Sequence, residues 1–245
     1  MNCKALNILL SNDDGYQAEG ITQLHAALAA EHQVLMVAPR QDCSGKSQSI
    51  TLDRPLRLHQ QDTDRYWVDG TPADSVMLGL SLLRPEGVDL VLSGINHGAN
   101  LGDDCLYSGT LGAALEGRHF AKLCLAVSLC GHQHFVSAAA MVSRLLDSWP
   151  QLLASGCRVW SLNVPDLPLA QIKGIRLCAL GARDKPLPAQ AVLNPKGDSH
   201  YWVGLPGQGQ GPDFDAIAQG YASLTPISSD RTHHWSLQQE LPCCE

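Results

Sequence analysis

Short apolar segments alternate with amphipathic segments along the first two thirds of the chain, which predicts strands followed by helices. The predicted strands cover 5–10, 34–38, 49–58, 88–93, 123–128 and 158–164, and the predicted helices cover 19–30, 72–83, 108–120 and 135–146. Strands that alternate with helices are typical of an α/β fold with a doubly wound, mostly parallel sheet and helices on both faces.

The pattern changes after Pro165, where proline and glycine become frequent and helical periodicity is weak. We therefore divide the chain into a core, residues 1–165, and a C-terminal extended arm, hairpin and tail, residues 166–245. An isolated hairpin buries little surface. We expect the arm to pack on a neighbouring subunit.

Composition excludes several classes of protein. The 245 residues carry a net charge of −7 without a basic block, which argues against binding to long nucleic acid. No apolar run approaches the roughly 20 residues that span a membrane, and no secretion signal is recognisable. The nine cysteines are scattered, without a CxxC pair, and we expect free thiols and a cytoplasmic location.

Three polar loops follow predicted strands, at the edge where open α/β sheets bind ligands. The first carries Asp13 and Asp14, the second Ser44, and the third Asn96. Adjacent carboxylates beside an apolar core repel each other and lose hydration, and a divalent cation would relieve both costs. An all-oxygen ligand set suits Mg²⁺, Mn²⁺ or Ca²⁺. The alternative is a solvated Asp-Asp-Gly turn.

A helix start follows the third loop. Ser108 is a predicted N-cap. Gly109 and Thr110 follow in the first turn, where small residues leave the backbone N–H groups open to an anion. An ordinary capped helix is the alternative. A cation beside an anion-binding helix start is what phosphate-ester hydrolysis needs. The Gly45-Lys46-Ser47 triplet does not complete a P-loop, because position 40 is arginine rather than glycine.

Together these motifs resemble the SurE family, the stationary-phase survival proteins that act as metal-dependent 5'/3'-nucleotidases. Six ordered blocks carry the resemblance: 8–15, 37–45, 70–74, 91–102, 107–117 and 163–166. The chain departs from the family pattern at His97 and Lys46, and either residue could adjust substrate choice.

The resemblance implies a Rossmann-like catalytic core and a C-terminal arm that is exchanged between subunits. It also implies one divalent metal ion per subunit, Mg²⁺ or Mn²⁺ in preference to Ca²⁺. The implied metal ligands are Asp13, Asp14, Ser44 and Asn96. Phosphate contacts or catalytic assistance are implied for Asn12, Asn100, Ser108, Gly109 and Thr110. The implied partners are a nucleoside monophosphate, with short polyphosphate as a further substrate of some members, and the other subunits of a homodimer or homotetramer.

The main hypothesis is hydrolysis of nucleoside 5'- and 3'-monophosphates by direct attack of water, with Asp13 assisting. A covalent phospho-aspartate at Asp13 is the alternative mechanism. A nucleotide-sensing module without turnover is the alternative from another class. A nicotinamide-dependent oxidoreductase is a third hypothesis, disfavoured because Asn-Asp-Asp-Gly replaces the expected GxGxxG after the first strand.

Overall fold

The computed structural model describes residues 5–204 and 206–232. The strands are β1 (Asn7–Ser11), β2 (Gln33–Pro39), β3 (Leu58–Gln60), β4 (Arg65–Val68), β5 (Val88–His97), β6 (Ala121–Cys130), β7 (Val159–Pro165), β8 (Ile175–Leu177), β9 (Ala182–Arg183), β10 (Gln190–Leu193), β11 (Ser199–Trp202), β12 (Gly209–Gln210) and β13 (Ala222–Ile227). The helices are α1 (Glu19–Leu28), α2 (Pro72–Leu78), α3 (Gly109–Glu116), α4 (Phe135–Leu146), α5 (Trp149–Ala154) and α6 (Pro212–Ala218). The histidines at 233 and 234 and the cysteines at 3, 243 and 244 lie outside the described residues.

Nine strands form one sheet in the order β3-β4-β2-β1-β5-β6-β7-β13-β8. The six strands from β4 to β7 in this order are parallel, whereas β3 and β13 run antiparallel to their neighbours β4 and β7. The chain runs from β1 outward to β2 and β4, and then crosses to β5 on the other side of β1. The predicted α/β fold with a mostly parallel sheet is confirmed, and its topological switch point lies between β1 and β5.

Helices cover both faces of the sheet because the central strands are apolar on both sides. Ile8 and Leu10 of β1 belong to a core that includes buried residues of α1 and α4. Leu9 points to the opposite face and joins a second core with residues of α2 and α3. The alternation of side chains along β1 therefore fixes two helical layers.

Several predicted elements have other bounds in the structure, and two of the differences bear on the site. The strand predicted over 49–58 does not form, and only Leu58 enters a strand. Thr51 instead donates from its backbone N–H and its hydroxyl to Asp74, at 3.0 and 2.6 Å, and Thr71 donates to the Ser49 carbonyl at 2.6 Å. The segment thus binds to the capping box that starts α2 rather than to a neighbouring strand.

The other difference is the length of β5, which continues past Ser93 to His97. Asn96 and His97 pair with Ser128 and Leu129 of β6 after an irregularity in register. Asn96 therefore lies on a strand and not in a loop.

The residues after 165 form several secondary-structure elements. β13 and β8 extend the main sheet, and α6 follows the short strand β12. β10 and β11 form a separate hairpin. The weak periodicity of this region did not predict α6 or β13. The division into 1–165 and 166–245 stays a prediction. Within residues 5–204 and 206–232, no helix has the length and apolar character needed to cross a membrane.

Gly20 gives a test of how closely α1 packs against β5. A Cβ at position 20 would lie 1.9 Å from the carbonyl oxygen of Ile95, next to Asn96. Helix propensity alone favours alanine over glycine by about 1 kcal/mol, but the overpacking costs about 1–3 kcal/mol and should outweigh it. We expect Gly20→Ala to lower the free energy of unfolding, measured by chemical denaturation. Thr22→Ala, on the exposed side of α1, is the control and should change it by less than about 0.5 kcal/mol. An equally stable Gly20→Ala protein would show that the packing is looser than described.

Candidate active site

The predicted site residues gather at the carboxyl ends of β1 and β5, on either side of the switch point. β1 ends at Ser11, which lies opposite Ser93 of the parallel strand β5. Asn12, Asp13 and Asp14 follow immediately. Chain connections leave this point toward opposite faces of the sheet, which opens a crevice where ligands bind in folds of this kind.

Asp13 is nearly inaccessible, with 3% of its surface exposed. Thr110 donates its hydroxyl to Asp13 Oδ1 at 2.6 Å, and the backbone carbonyl of Asp13 accepts the N–H of Cys43 at 2.7 Å. A Cβ at Gly109 would lie 2.9 Å from Asp13 Oδ2, so α3 begins against the carboxylate. Burial and, to a smaller extent, the neighbouring Asp14 charge together raise the pKa of Asp13 to about 6, against the lowering effect of the Thr110 hydrogen bond.

Asp14 is half-buried and faces the end of β5. Its Oδ2 accepts the backbone N–H of His97 at 3.1 Å. Burial raises the pKa of Asp14, the nearby His97 opposes this effect, and the Asp42 carboxylate adds to it. Two adjacent carboxyl groups with raised pKa values form a site in which a positive charge would stabilise both.

Asn12 is buried, and its Nδ2 donates to the Gly15 carbonyl at 2.8 Å. Its Oδ1 is inaccessible and accepts no hydrogen bond from the residues that the structure describes. Among the same residues, the buried hydroxyl oxygens of Ser11 and Ser93 have no partner either. Leaving such atoms unpaired is costly unless a ligand or water satisfies them.

Asn96 and Asn100 occupy the end of β5 and the loop that follows it. Asn96 is buried, and its Nδ2 donates to the Gly98 carbonyl at 2.8 Å. The Asn100 Nδ2 donates to the Ser128 hydroxyl at 2.8 Å, and its backbone N–H donates to Asn163 Oδ1 at 2.8 Å. Asn100 therefore anchors the loop to β6 through its side chain and to β7 through its backbone.

Sequence reasoning gave no individual role to Ser128 or Asn163, two of the partners of Asn100. Asn163 returns a hydrogen bond from its Nδ2 to the Asn100 carbonyl at 3.1 Å. Ser128 and Asn163 face each other in the register of β6 and β7. A polar residue at the carboxyl end of each strand was the available signal, since the edge that carries Asp13 also carries these residues.

Among the described residues, no hydrogen bond joins Ser44 to Asp13 or Asp14. Ser44 is exposed, and both its hydroxyl and its backbone N–H donate to Asp42 Oδ1, at 2.6 and 2.7 Å. Its neighbour Cys43 is the residue that contacts Asp13. The loop is therefore attached to the site one residue before Ser44.

The start of α3 provides backbone N–H groups beside Asp13. Ser108 is the N-cap, and its hydroxyl accepts the N–H of Leu111 at 3.0 Å. The Gly112 N–H makes the first backbone bond of the helix, to the Ser108 carbonyl at 3.0 Å. Gly109 and Thr110 precede that bond, so their N–H groups have no partner in the helix. They form a site suited to an anion.

The donor atoms at this edge are oxygens, and their arrangement fits a hard divalent cation. Within the two described ranges, no three His, Cys, Asp or Glu side chains come together as a metal-binding group. A cation here would therefore rely on the Asp13–Asp14 pair and on neutral oxygens such as Asn12 Oδ1. Such a cation would face the anion-binding start of α3.

Comparisons with known proteins indicate the family of the chain. The family profile described as "Survival protein SurE" matches residues 8–186. The chain is 48% identical to the 5'-nucleotidase SurE of Actinobacillus succinogenes over 237 residues, which cover 95% of this chain and 96% of the relative. It is 47% identical to the 5'-nucleotidase SurE of Vibrio vulnificus strain CMCP6 over 240 residues, which cover 96% and 94%.

The fold agrees as well. The crystal structure of the SurE protein from Aquifex aeolicus superposes with a TM-score of 0.80 and 37% sequence identity, and covers 94% of this chain and 96% of that one. Nucleotidases of this family generally depend on a divalent metal ion. Because the family profile matches most of its length and its relatives are nearly 50% identical in sequence, this chain belongs to the SurE family.

Proposed function

We propose that the chain hydrolyses nucleoside 5'-monophosphates, and also 3'-monophosphates and short polyphosphate, to release phosphate. The single observation that carries this proposal is the buried Asp13 beside Asp14 at the N-terminal end of α3. Paired carboxylates suit a divalent cation, and the helix start suits the phosphate. The names of the relatives support the reaction type.

We assign the cation to Asp13, Asp14, Asn96 and, once it is released from Asp42, Ser44. Mg²⁺ and Mn²⁺ are the preferred ions, since the donors are oxygens. When bound, such an ion neutralises phosphate charge and makes an attacking water more acidic. Asn12 contributes the unpaired Oδ1 described above, either to the ion or to the water.

The remaining residues would hold and position the phosphate. Gly109 and Thr110 direct their N–H groups toward the anion, and the Thr110 hydroxyl keeps the Asp13 carboxylate in place. Ser108 fixes the first turn of α3, and Asn100 fixes the loop after β5. We favour direct attack of water over a phospho-aspartate, since Asp13 Oδ1 is already engaged by Thr110. A phosphorylated protein in a quenched reaction would support the covalent route instead.

The first test replaces Asp13 by Asn, which keeps its shape and removes its charge. We expect the release of phosphate from AMP to fall by roughly 100-fold or more, as losses of a charged catalytic group generally do. Phosphate release at saturating Mn²⁺ is the measurement. Asp53→Asn, at an exposed position, is the control and should retain activity. Full activity of Asp13→Asn with the same metal dependence would remove Asp13 from the mechanism. Binding of AMP by the unaltered protein without phosphate release would favour a sensing module.

The second test uses the pKa of Asp13 in metal-free protein. The folded state keeps the carboxyl protonated up to about pH 6, whereas the ordinary value is 3.8. The folded state therefore binds more protons in this window, and stability falls as the pH rises through it. In a chelator at pH 8, we expect the free energy of unfolding of Asp13→Asn to exceed that of the unaltered protein by up to ~3 kcal/mol. Near pH 4 the two free energies should differ little.

Metal addition should reverse this difference. Mg²⁺ or Mn²⁺ should raise the melting temperature of the unaltered protein at pH 8 and leave that of Asp13→Asn nearly unchanged. Equal stabilisation of both proteins would place the ion elsewhere.

We also propose that the protein forms a homodimer or homotetramer through the arm. Every residue of β10 and β11 is exposed, and a two-stranded hairpin alone is only marginally stable. Leu193, Tyr201 and Trp202 are 72%, 69% and 70% exposed. Contact with a second subunit would cover them.

Light scattering tests this assembly. We expect a multiple of the monomer mass for the unaltered protein and a lower mass for Trp202→Lys. Leu52→Lys is the control, since Leu52 is 85% exposed but lies outside the arm. An unchanged mass for Trp202→Lys would show that the hairpin does not form the interface.

We propose a cytoplasmic location because the described cysteines are free thiols. Six described cysteines have free thiols. Burial raises the pKa of Cys105, Cys124 and Cys130 to about 12, so these thiols are unreactive and suit a reducing compartment.

A further inference from the structure

A cleft of about 290 Å³ lies next to the candidate active site, at the carboxyl ends of β2 and β4. The loop after β2 forms one wall, with Arg40, Asp42 and Lys46, and the segment after β4, residues 68–71, forms another. β2 and β4 are parallel to β1. The cleft therefore opens on the same edge of the sheet as Asp13 and Asp14.

The cleft and the aspartates share a wall. Cys43 lines the cleft and donates its backbone N–H to the Asp13 carbonyl at 2.7 Å. On the other side of this loop, a Cβ at Gly15 would lie 3.3 Å from the Gln41 carbonyl carbon. The cleft and the two aspartates are therefore neighbours on the same edge of the sheet, on either side of one loop.

Arg40 lines the cleft with a planar cation. Its guanidinium carbon lies 5.1 Å from the centre of the buried Trp67 ring, which places the cation against the indole. Arg40 is exposed, and within residues 5–204 and 206–232 its side chain has no ion pair. Arg54 is different, because it is paired with Asp69 at 3.4 Å. The Arg40 guanidinium is thus available at the cleft to a planar group.

The other groups of the cleft favour a nucleoside over a second phosphate. Asp42 and Asp69 line it together with the cations, and their carboxylates would repel a second anion. A base edge and a ribose offer both donors and acceptors, which suits such a mixture. The volume approaches the roughly 300 Å³ at which small-molecule pockets begin.

Building on the proposed nucleotidase activity, we propose that this cleft binds the nucleoside of the substrate, with its base stacked on the Arg40 guanidinium. Bases stack on arginine planes as they do on aromatic rings. Arg40 would then set the preference for nucleotides over other phosphate esters, and it would not act on the reacting phosphate itself.

The test compares AMP with ribose 5-phosphate, which lacks only the base. We expect Arg40→Ala to raise the KM for AMP about tenfold, an effect of the order that loss of one stacking contact produces. Its kcat should change little. The constant for ribose 5-phosphate, measured as KM or as a competitive inhibition constant, should stay within about twofold. Equal effects on both compounds, or an effect on neither, would overturn the inference.

Two further variants sharpen the result. The guanidinium carbon of Arg57 lies 5.5 Å from the centre of the Trp67 ring, but Arg57 does not line the cleft. Arg57→Ala should therefore leave the AMP preference intact. Arg40→Lys keeps the charge without the planar face and should behave like Arg40→Ala. Recovery of the AMP preference by lysine would overturn stacking and indicate a site for charge.

Phosphate release from AMP by the unaltered protein separates this inference from the proposed function. If that release is absent, the nucleotidase proposal fails. If it is present and Arg40→Ala does not discriminate between the two compounds, only the cleft assignment fails.

Discussion

The structure around the switch point depends on one electrostatic constraint, the burial of two adjacent carboxyl groups at the end of β1. Desolvation raises the pKa of both Asp13 and Asp14, so the protein alone compensates only part of the cost of their charge. The surrounding elements meet this cost locally. Thr110 donates to Asp13, and the backbone of His97 donates to Asp14. The parallel sheet makes the arrangement possible, because it brings the carboxyl ends of β1 and β5 and the start of α3 to one edge.

Much of the core could be predicted because its periodicity is simple. The predicted helix over 135–146 coincides with α4, and the apolar run after Ala5 forms β1. Segments whose structure depends on distant partners were not predictable in the same way. The alternating residues 49–57 bind Asp74 and Thr71 instead of pairing as a strand. α6 and β13 lie in a region rich in glycine and proline, and β13 is held by its pairing with β7, more than fifty residues earlier in the chain.

The candidate site shows the same division. Adjacent carboxylates after a strand and a capped helix start are local signals, and the sequence displays both. The contacts of Asn100 with Ser128 and Asn163 depend on the register of β6 and β7. The placing of Arg40 on Trp67 depends on the pairing of β2 with β4. Ser44 is found with Asp42, a neighbour that competes for its hydroxyl and that spacing alone does not reveal.

The hydrogen bond from Cys43 to the Asp13 carbonyl has a consequence for how ligands influence each other. It joins the loop that forms one wall of the Arg40 cleft to the backbone of an aspartate. Ordering either side of this bond restricts the other, so part of the entropy lost when one ligand binds is already lost when the second arrives. The linkage is reciprocal by thermodynamic necessity. A cation at the aspartates would raise the affinity for a nucleoside, and a nucleoside would raise the affinity for the cation by the same factor.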